Sequence, residues 1–330
     1  MKILVTGGAG FIASHIVDSL VRDGHEVVVY DNFSTGLMQN LEGVKDQVEI
    51  VQDDILNYES LKKAMEGCQY VSHHAAQLEI FLSISNPEDD LKQNTIGTLN
   101  VLRAAKENNV EKIINASSAC VYGQTEDPSS ESDDPCPNWA YGVSKLAAEK
   151  YASIYNDYEG VKVVSLRYGI VYGEREWYRR VLPIMLKRVI QGESPVVFGD
   201  GHQIRDFVYV GDVVEFNNMC LFSADADGHV FNVGSGVGTS IVDLAKAAVS
   251  LSDKEIEIVH ENTEEGSFSK LIEGKKRNSA ELKRMLLDMK KVETMFGWLP
   301  STPLSQGLRN EYEWAAKNLS RWDKVVSTQW

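Results

Sequence analysis

The sequence predicts an α/β protein: a doubly wound parallel sheet, followed by a smaller α/β lobe in the C-terminal half. Three observations predict it. From Met1 to Arg167, short apolar runs of strand type alternate with amphipathic runs of helical spacing. The first strand and helix are joined by a glycine-rich turn, and the second strand ends on an acid. After Gly173 the alternation stops, and helices dominate from Thr239 on.

Met1–Thr6 reads as the first strand, and Gly7-Gly8-Ala9-Gly10-Phe11-Ile12-Ala13 as the turn into a helix. Ile16, Val17, Leu20 and Val21 give that helix an apolar face. Gly24 ends it, and His25–Tyr30 is the second strand, closed by Asp31. Gly7 permits a tight turn, Gly10 admits a pyrophosphate to a helix N-terminus, and Ala13 is small enough to pack on the sheet. Asp31 can accept hydrogen bonds from both ribose hydroxyls of an adenosine, and its charge opposes a 2′-phosphate. No Arg or Lys stands between Asp31 and Gln39. The unit predicts a dinucleotide site that takes NAD in preference to NADP.

Asn32–Gly36 is a polar loop and Val48–Val51 the third strand. In Asp53-Asp54-Ile55 a carboxylate can meet the adenine amino group or cap the helix Leu56–Met65, and both readings stay open. Tyr70–His74 is the fourth strand, followed by Ala75-Ala76-Gln77, small residues that admit a cofactor at a strand's carboxyl end. His73 and His74 have no third ligand nearby and read as structural, so no metal is expected. Asp90–Asn108 is one long helix with Asn94 near its start, and Lys112–Ser117 is the fifth strand. The acidic loop Gln124–Pro137 reads as lying over a cleft. Tyr141–Tyr155 is a helix and Val161–Arg167 the sixth strand. Beyond Gly173, Trp177–Arg188 reads as a helix, Arg205–Val210 and Phe231–Val233 as strands, and His260–Arg277 as a charged, mobile segment. The expected division is 1–172, completed by strands near 205–235, for the dinucleotide, and 173–204 with 236–330 for a second ligand.

The chain has 330 residues and a net charge of −15, which argues against nucleic acid or an anionic membrane as partner. An anionic ligand then needs a local basic site. No apolar run reaches the length of a membrane span, and the N-terminus enters a strand with no cleavable signal. Cys68, Cys120, Cys136 and Cys220 are scattered, without metal spacing. A cytoplasmic protein with free thiols is the expectation.

Tyr141 and Lys145 are four residues apart, on one helix face. Ser118 sits at a strand's carboxyl end, where ligands bind in such sheets. A neighbouring ammonium and a positive nicotinamide would lower the phenol pKa. Tyr141 can then take a proton from a substrate alcohol while hydride leaves for NAD, with Ser118 bonded to the same oxygen.

These segments together resemble the extended short-chain dehydrogenase/reductase family, the NAD-dependent nucleotide-sugar epimerases and dehydratases, whose dinucleotide domain is a Rossmann fold. Thr6–His15, Asp31–Gly36, Ala75–Gln77, Ser117–Gly123, Tyr141–Lys145, Gly199–Asp212 and Asn232–Gly236 carry the resemblance. It implies Ser118, Tyr141 and Lys145 as the catalytic set. It implies cofactor contacts at Gly7, Gly10, Phe11, Ile12, Asp31, Asn32, Ser34, Asp54, Ile55, Ala75, Ala76, Gln77, Asn94, Tyr141, Lys145 and Tyr168. Arg205 and Arg284 would hold the nucleotide diphosphate of the substrate. The helices Asp90–Asn108 and Tyr141–Tyr155 would pair across a homodimer.

The chain also departs from that family. The 4,6-dehydratases carry an Asp-Glu or Ser-Glu pair after the catalytic residue, where this chain has Ala119-Cys120. Gly169-Ile170 stand where Phe-Asn is frequent, and Leu78–Leu82 replace polar residues, with Glu79 able to meet a sugar hydroxyl. Ser-Ser-Ala-Cys is similar to the GDP-mannose 3,5-epimerases, which implies Cys120 and Lys187 as an acid–base pair; otherwise Cys120 is a buried filler and Lys187 a solvated charge. The expectation is an NAD-dependent 4-epimerase of a UDP-hexose or UDP-uronate, acting through a transient 4-keto sugar. The alternatives are a GDP-sugar 3,5-epimerase, a nucleotide-sugar dehydratase, a decarboxylase in which Arg179 or Arg180 holds a carboxylate, and an NAD-binding sensor. The complete hydride-transfer set argues against the sensor.

Overall fold

The computed structural model describes residues 1–277 and 281–326. Its strands are β1 Lys2–Thr6, β2 Glu26–Asp31, β3 Glu49–Gln52, β4 Tyr70–His73, β5 Lys112–Ser118, β6 Lys162–Tyr168, β7 Ile170–Tyr172, β8 Val196–Phe198, β9 Ile204–Tyr209, β10 Val230–Val233, β11 Gly238–Ser240, β12 Val259–Glu261 and β13 Arg284–Met285. Its helices are α1 Phe11–Arg22, α2 Tyr58–Ala64, α3 Ile80–Ser85, α4 Pro87–Leu91, α5 Gly97–Glu107, α6 Ala140–Tyr158, α7 Val181–Gln191, α8 Val210–Phe222, α9 Ile241–Val249, α10 Lys290–Phe296 and α11 Leu304–Val326.

Seven parallel strands form the large sheet, in the order β10-β6-β5-β4-β1-β2-β3. Helices cover both faces, so apolar residues dominate the central strands. Successive residues feed opposite layers. Ile3 and Val5 of β1 pack with Ile16, Leu20 and Phe216 on the side of α1 and α8. Leu4 packs with Leu61, Val101 and Leu102 on the side of α2 and α5. The chain walks outward from β1 to β3, then returns to β4 on the other side of β1. The order reverses there, and the carboxyl ends of β1 and β4 lie side by side at the reversal.

Of the two strand stretches near 205–235, only β10 joins the large sheet. β9 instead pairs with β7, β11 and β13 in a separate small sheet, and β8 pairs with β12. Gly169 is the crossing point between β6 and β7. A Cβ there would lie 3.0 Å from the Asp206 carbonyl oxygen, so the glycine lets β6 pass beside β9. Three further expectations are corrected. The helix read from Trp177 starts at Val181, because Pro183, lacking an N–H, fits only a first turn. The helix Asp90–Asn108 is interrupted by a π turn over Lys92–Ile96, which turns Asn94 inward. The segment His260–Arg277 is tied down: Glu261, at the end of β12, accepts hydrogen bonds from Ser269 Oγ and the Lys270 N–H.

Candidate active site

A cleft of about 740 Å³ opens at the reversal point and runs to the small sheet. At one end lies the glycine turn. Gly7 has φ +66°, and a Cβ there would lie 2.7 Å from the Ala75 nitrogen. Gly10 caps α1 with no side-chain hydrogen bond, which leaves the first-turn N–H groups to a ligand. Asp31 is buried at the end of β2, accepting from the N–H groups of Ala9 (2.9 Å) and Phe33 (2.7 Å). A Cβ on Gly36 would sit 2.8 Å from its carboxylate, so only glycine there leaves the acid open. Burial pushes Asp31 up, and the two N–H groups oppose that. These features fit a dinucleotide: a cradle without Cβ atoms, a free helix terminus and a ribose acceptor.

The remaining sequence-derived positions sort by place. Phe11, Ile12, Asn32, Ser34, Ile55, Ala75, Ala76, Gln77, Glu79, Cys120, Tyr168 and Arg205 line the cleft with Gly7, Gly10, Asp31, Ser118, Tyr141 and Lys145. Asp54, Asn94, Lys187 and Arg284 do not. Asp54 is used on Asn32 Nδ2 (2.8 Å) and the Leu56 N–H (2.9 Å), while Asp53 reaches the wall. Asn94 stands one layer back, its Oδ1 accepting from the Gln77 N–H (2.9 Å) and its Nδ2 donating to the Gln77 carbonyl (3.0 Å). Lys187 lies over the ring of Tyr178, a wall residue, 4.6 Å from its centroid, without reaching the wall itself. Of this pair, Cys120 is on the wall and Lys187 is not. Arg284, in β13, stands behind Met285 and Leu282, which do reach the wall. His73 is used between Thr6 Oγ1 (2.7 Å) and Thr98 Oγ1 (3.0 Å), and no metal-ligating cluster exists among the described residues.

At the middle of the cleft, Ser118 ends β5, and Tyr141 and Lys145 project from the first turns of α6. The Ser118 hydroxyl accepts from the Cys120 N–H (3.1 Å) and stands near enough to the Tyr141 phenol to favour its phenolate. The Lys145 ammonium donates to the Ala116 carbonyl (2.7 Å). Burial pushes Lys145 down to about 8, against the pull of Asp90. Burial, and after it Cys120, push the Tyr141 phenol up; Arg180 and Ser118 act the other way. Arg180 is thus a second cation that favours the phenolate, beside the Lys145 named from the sequence. Burial also pushes the Cys120 thiol up, with Ser118, Arg180 and Arg205 opposing.

At the far end sequence reasoning found the arginines but missed Lys275 and the buried Glu176. Lys275 reaches in from the segment after β12 and donates to the Arg179 carbonyl (2.8 Å), close to Glu79 and Arg180. With Arg179, Arg180 and Arg205 it makes the local basic site that a chain of net charge −15 requires for an anion. No sequence signal marked Lys275, which has no motif and no periodic position. Glu176, also on the wall, lies buried against Glu311 of α11. Burial pushes both carboxyls up, and Glu176 and Glu174 push Glu311 further.

Fold and cleft together define a dinucleotide-binding α/β protein with a Ser–Tyr–Lys set on one wall. The chain belongs to the NAD-dependent epimerase/dehydratase family, whose model matches residues 3–234. A Methanocaldococcus jannaschii protein provisionally named a UDP-glucose 4-epimerase is 35% identical over 325 residues, covering 96% of this chain and 99% of its own. A Bacillus cytotoxicus UDP-N-acetyl-alpha-D-glucosaminuronate decarboxylase is 31% identical, covering 95% of this chain and 97% of its own. The crystal structure of the Thermotoga maritima UDP-glucose 4-epimerase with UDP-glucose superposes with a TM-score of 0.88 at 33% identity, covering 97% of this chain and 100% of that one. The cofactor is NAD, and the chain falls within a superfamily of nucleotide-sugar epimerases, decarboxylases and dehydratases.

Proposed function

We propose that the chain is a UDP-sugar 4-epimerase working through a transient 4-keto sugar. The observation that carries this reading is the sharing of one cleft by the glycine turn, Ser118, Tyr141 and Lys145, with Ala119 and Cys120 in place of carboxylates that would eliminate water. When bound, NAD supplies a hydride acceptor that also returns the hydride. The Tyr141 oxygen takes the C4-hydroxyl proton and gives it back, and Ser118 holds the same substrate oxygen. Arg180 stabilises the phenolate as it forms.

Arg180 also bears on the sugar. A guanidinium beside Tyr141, with Lys275 next to it, suits a carboxylate at C6, so we read a UDP-uronate as the substrate. Loss of that carboxylate from the 4-keto sugar is the second reading, favoured by the same arginine. NMR of reactions with UDP-glucose, UDP-galactose, UDP-glucuronate and UDP-N-acetylglucosamine tests both. A C4-epimeric uronate is the expected product. A UDP-pentose with released CO₂ would install decarboxylation, and no conversion by NAD-loaded protein would leave the sensor.

We further infer a cytoplasmic homodimer. Leu91, Ile96, Val143, Tyr151, Ile154 and Tyr158 stand exposed along α4, the π turn and α6, an apolar stripe that a second copy would cover. Light scattering at micromolar concentration should give twice the chain mass.

A further inference from the structure

The end of α11 crosses to the glycine turn. The helix kinks at Asn318 (φ −128°, ψ 20°), whose side-chain amide donates to the Trp314 carbonyl (2.8 Å). Beyond the kink, Trp322 is buried. Its indole N–H donates to the Glu176 carbonyl (3.3 Å), and its ring lies against Tyr178 and Trp314, with centroids 5.6 and 6.0 Å away. That anchor sets the neighbouring Arg321, which donates to the Gln39 carbonyl (2.7 Å) and to Asn40 Oδ1 (3.2 Å). Asn40 Nδ2 in turn donates to the Ala9 carbonyl (2.9 Å), and the Leu37 N–H donates to the same oxygen (3.0 Å). A guanidinium from the last described turns thus rests on the loop that wraps the glycine turn, and it lines the cleft.

Its partners there are neutral oxygens, and two of its five N–H donors are used on them. The charged group bearing on it is another cation, Arg175. Arg175 has a left-handed backbone (φ +70°) and donates to Ser14 Oγ (3.2 Å) and Asp18 Oδ2 (2.7 Å) on α1. A half-buried cation with spare donors, a second cation alongside and a helix N-terminus below is an arrangement that gains from an anion. The diphosphate of NAD is the anion that the glycine turn brings there.

We propose that Arg321 is a cofactor-holding residue that donates to the diphosphate of bound NAD, and that the anchored end of α11 is a strap slowing NAD release. This rests on NAD occupying the glycine turn. The test is to desalt wild type, Arg321→Ala, Arg321→Lys and Trp322→Ala, and follow the NAD retained per chain over time by heat release and chromatography. Arg321→Ala should release NAD about tenfold or more faster, the scale of one charge-assisted hydrogen bond. Arg321→Lys should fall between it and wild type. Trp322→Ala should follow Arg321→Ala although its guanidinium is intact. Equal melting temperatures of NAD-stripped wild type and Arg321→Ala separate lost binding from lost folding. Retention by Arg321→Ala at the wild-type rate would overturn the strap. So would an effect confined to NADP, which would put Arg321 on a 2′-phosphate. A wild type that binds no NAD would overturn the cofactor assignment itself.

Discussion

The cofactor end of the cleft is built mainly from one contiguous stretch, Gly7 to Gly36, joined to Ala75 across the sheet reversal, with Arg321 reaching it from α11. The sugar end is made of side chains from distant stretches: Cys120 after β5, Arg180 before α7, Arg205 in β9 and Lys275 after β12. Arg321 apart, each residue at the first end has a local reason, whether a turn, a free helix terminus or an acid at a strand end. At the second end each residue owes its place to the packing of the small sheet and its flanking segments. The first end is therefore fixed by features common to dinucleotide folds, and the second is free to set the substrate.

If that division holds, substitutions should separate cleanly into losses of chemistry, of sugar selectivity and of neither. The largest effect is expected for Tyr141→Phe. Turnover should fall on the order of a hundredfold or more, with the NAD content of the purified protein unchanged. Loss of bound NAD as well would show that the two ends are one unit. Arg180→Ala comes next. Its kcat/KM for UDP-glucuronate should drop roughly tenfold or more, against about threefold for UDP-glucose. Equal losses on both would mean that Arg180 acts on Tyr141 and does not touch a carboxylate.

The pH profile is a finer probe. Burial holds Lys145 near 8, so it is charged below that pH and neutral above it. Activity that needs the ammonium should fall as pH rises through about 8, and Lys145→Met should lack this alkaline limb at a lower level of activity. The smallest effect belongs to Cys120→Ala. With Lys187 off the cleft wall, the variant should keep activity within about threefold. Turnover in D₂O should place no deuterium at C3 or C5 of the sugar. Deuterium there, abolished by the substitution, would install carbanion chemistry at the sugar end.

The contrast also explains what could be read in advance. The strands of the large sheet, the glycine turn, Asp31 and the Ser118–Tyr141–Lys145 grouping follow from apolar runs, turn residues and helical spacing. Asp53 and Asp54 could not be told apart, because both precede the helix and only the bend of the loop decides which carboxylate faces the wall. Lys187 had a plausible sequence distance, yet helix phase turns it onto Tyr178, while Lys275 enters from a segment with no regular pattern. The sheet crossing at Gly169 depends on the nearness of Asp206, thirty-seven positions further along the sequence. Arg321 meets Asn40 across almost the whole chain, a contact that no local rule encodes.

The buried pair Glu176–Glu311 contributes proton uptake to the folding of this acid-rich chain. Both carboxyls are held above their ordinary values, so over the range between the unfolded and folded values the native state binds more protons than the denatured one. The pair's contribution is complete below the unfolded carboxylate value and is lost as pH climbs through the raised one. The formal charge of −15 counts both groups as ionised. At neutral pH the pair should accordingly give up protons to the solution when the chain unfolds.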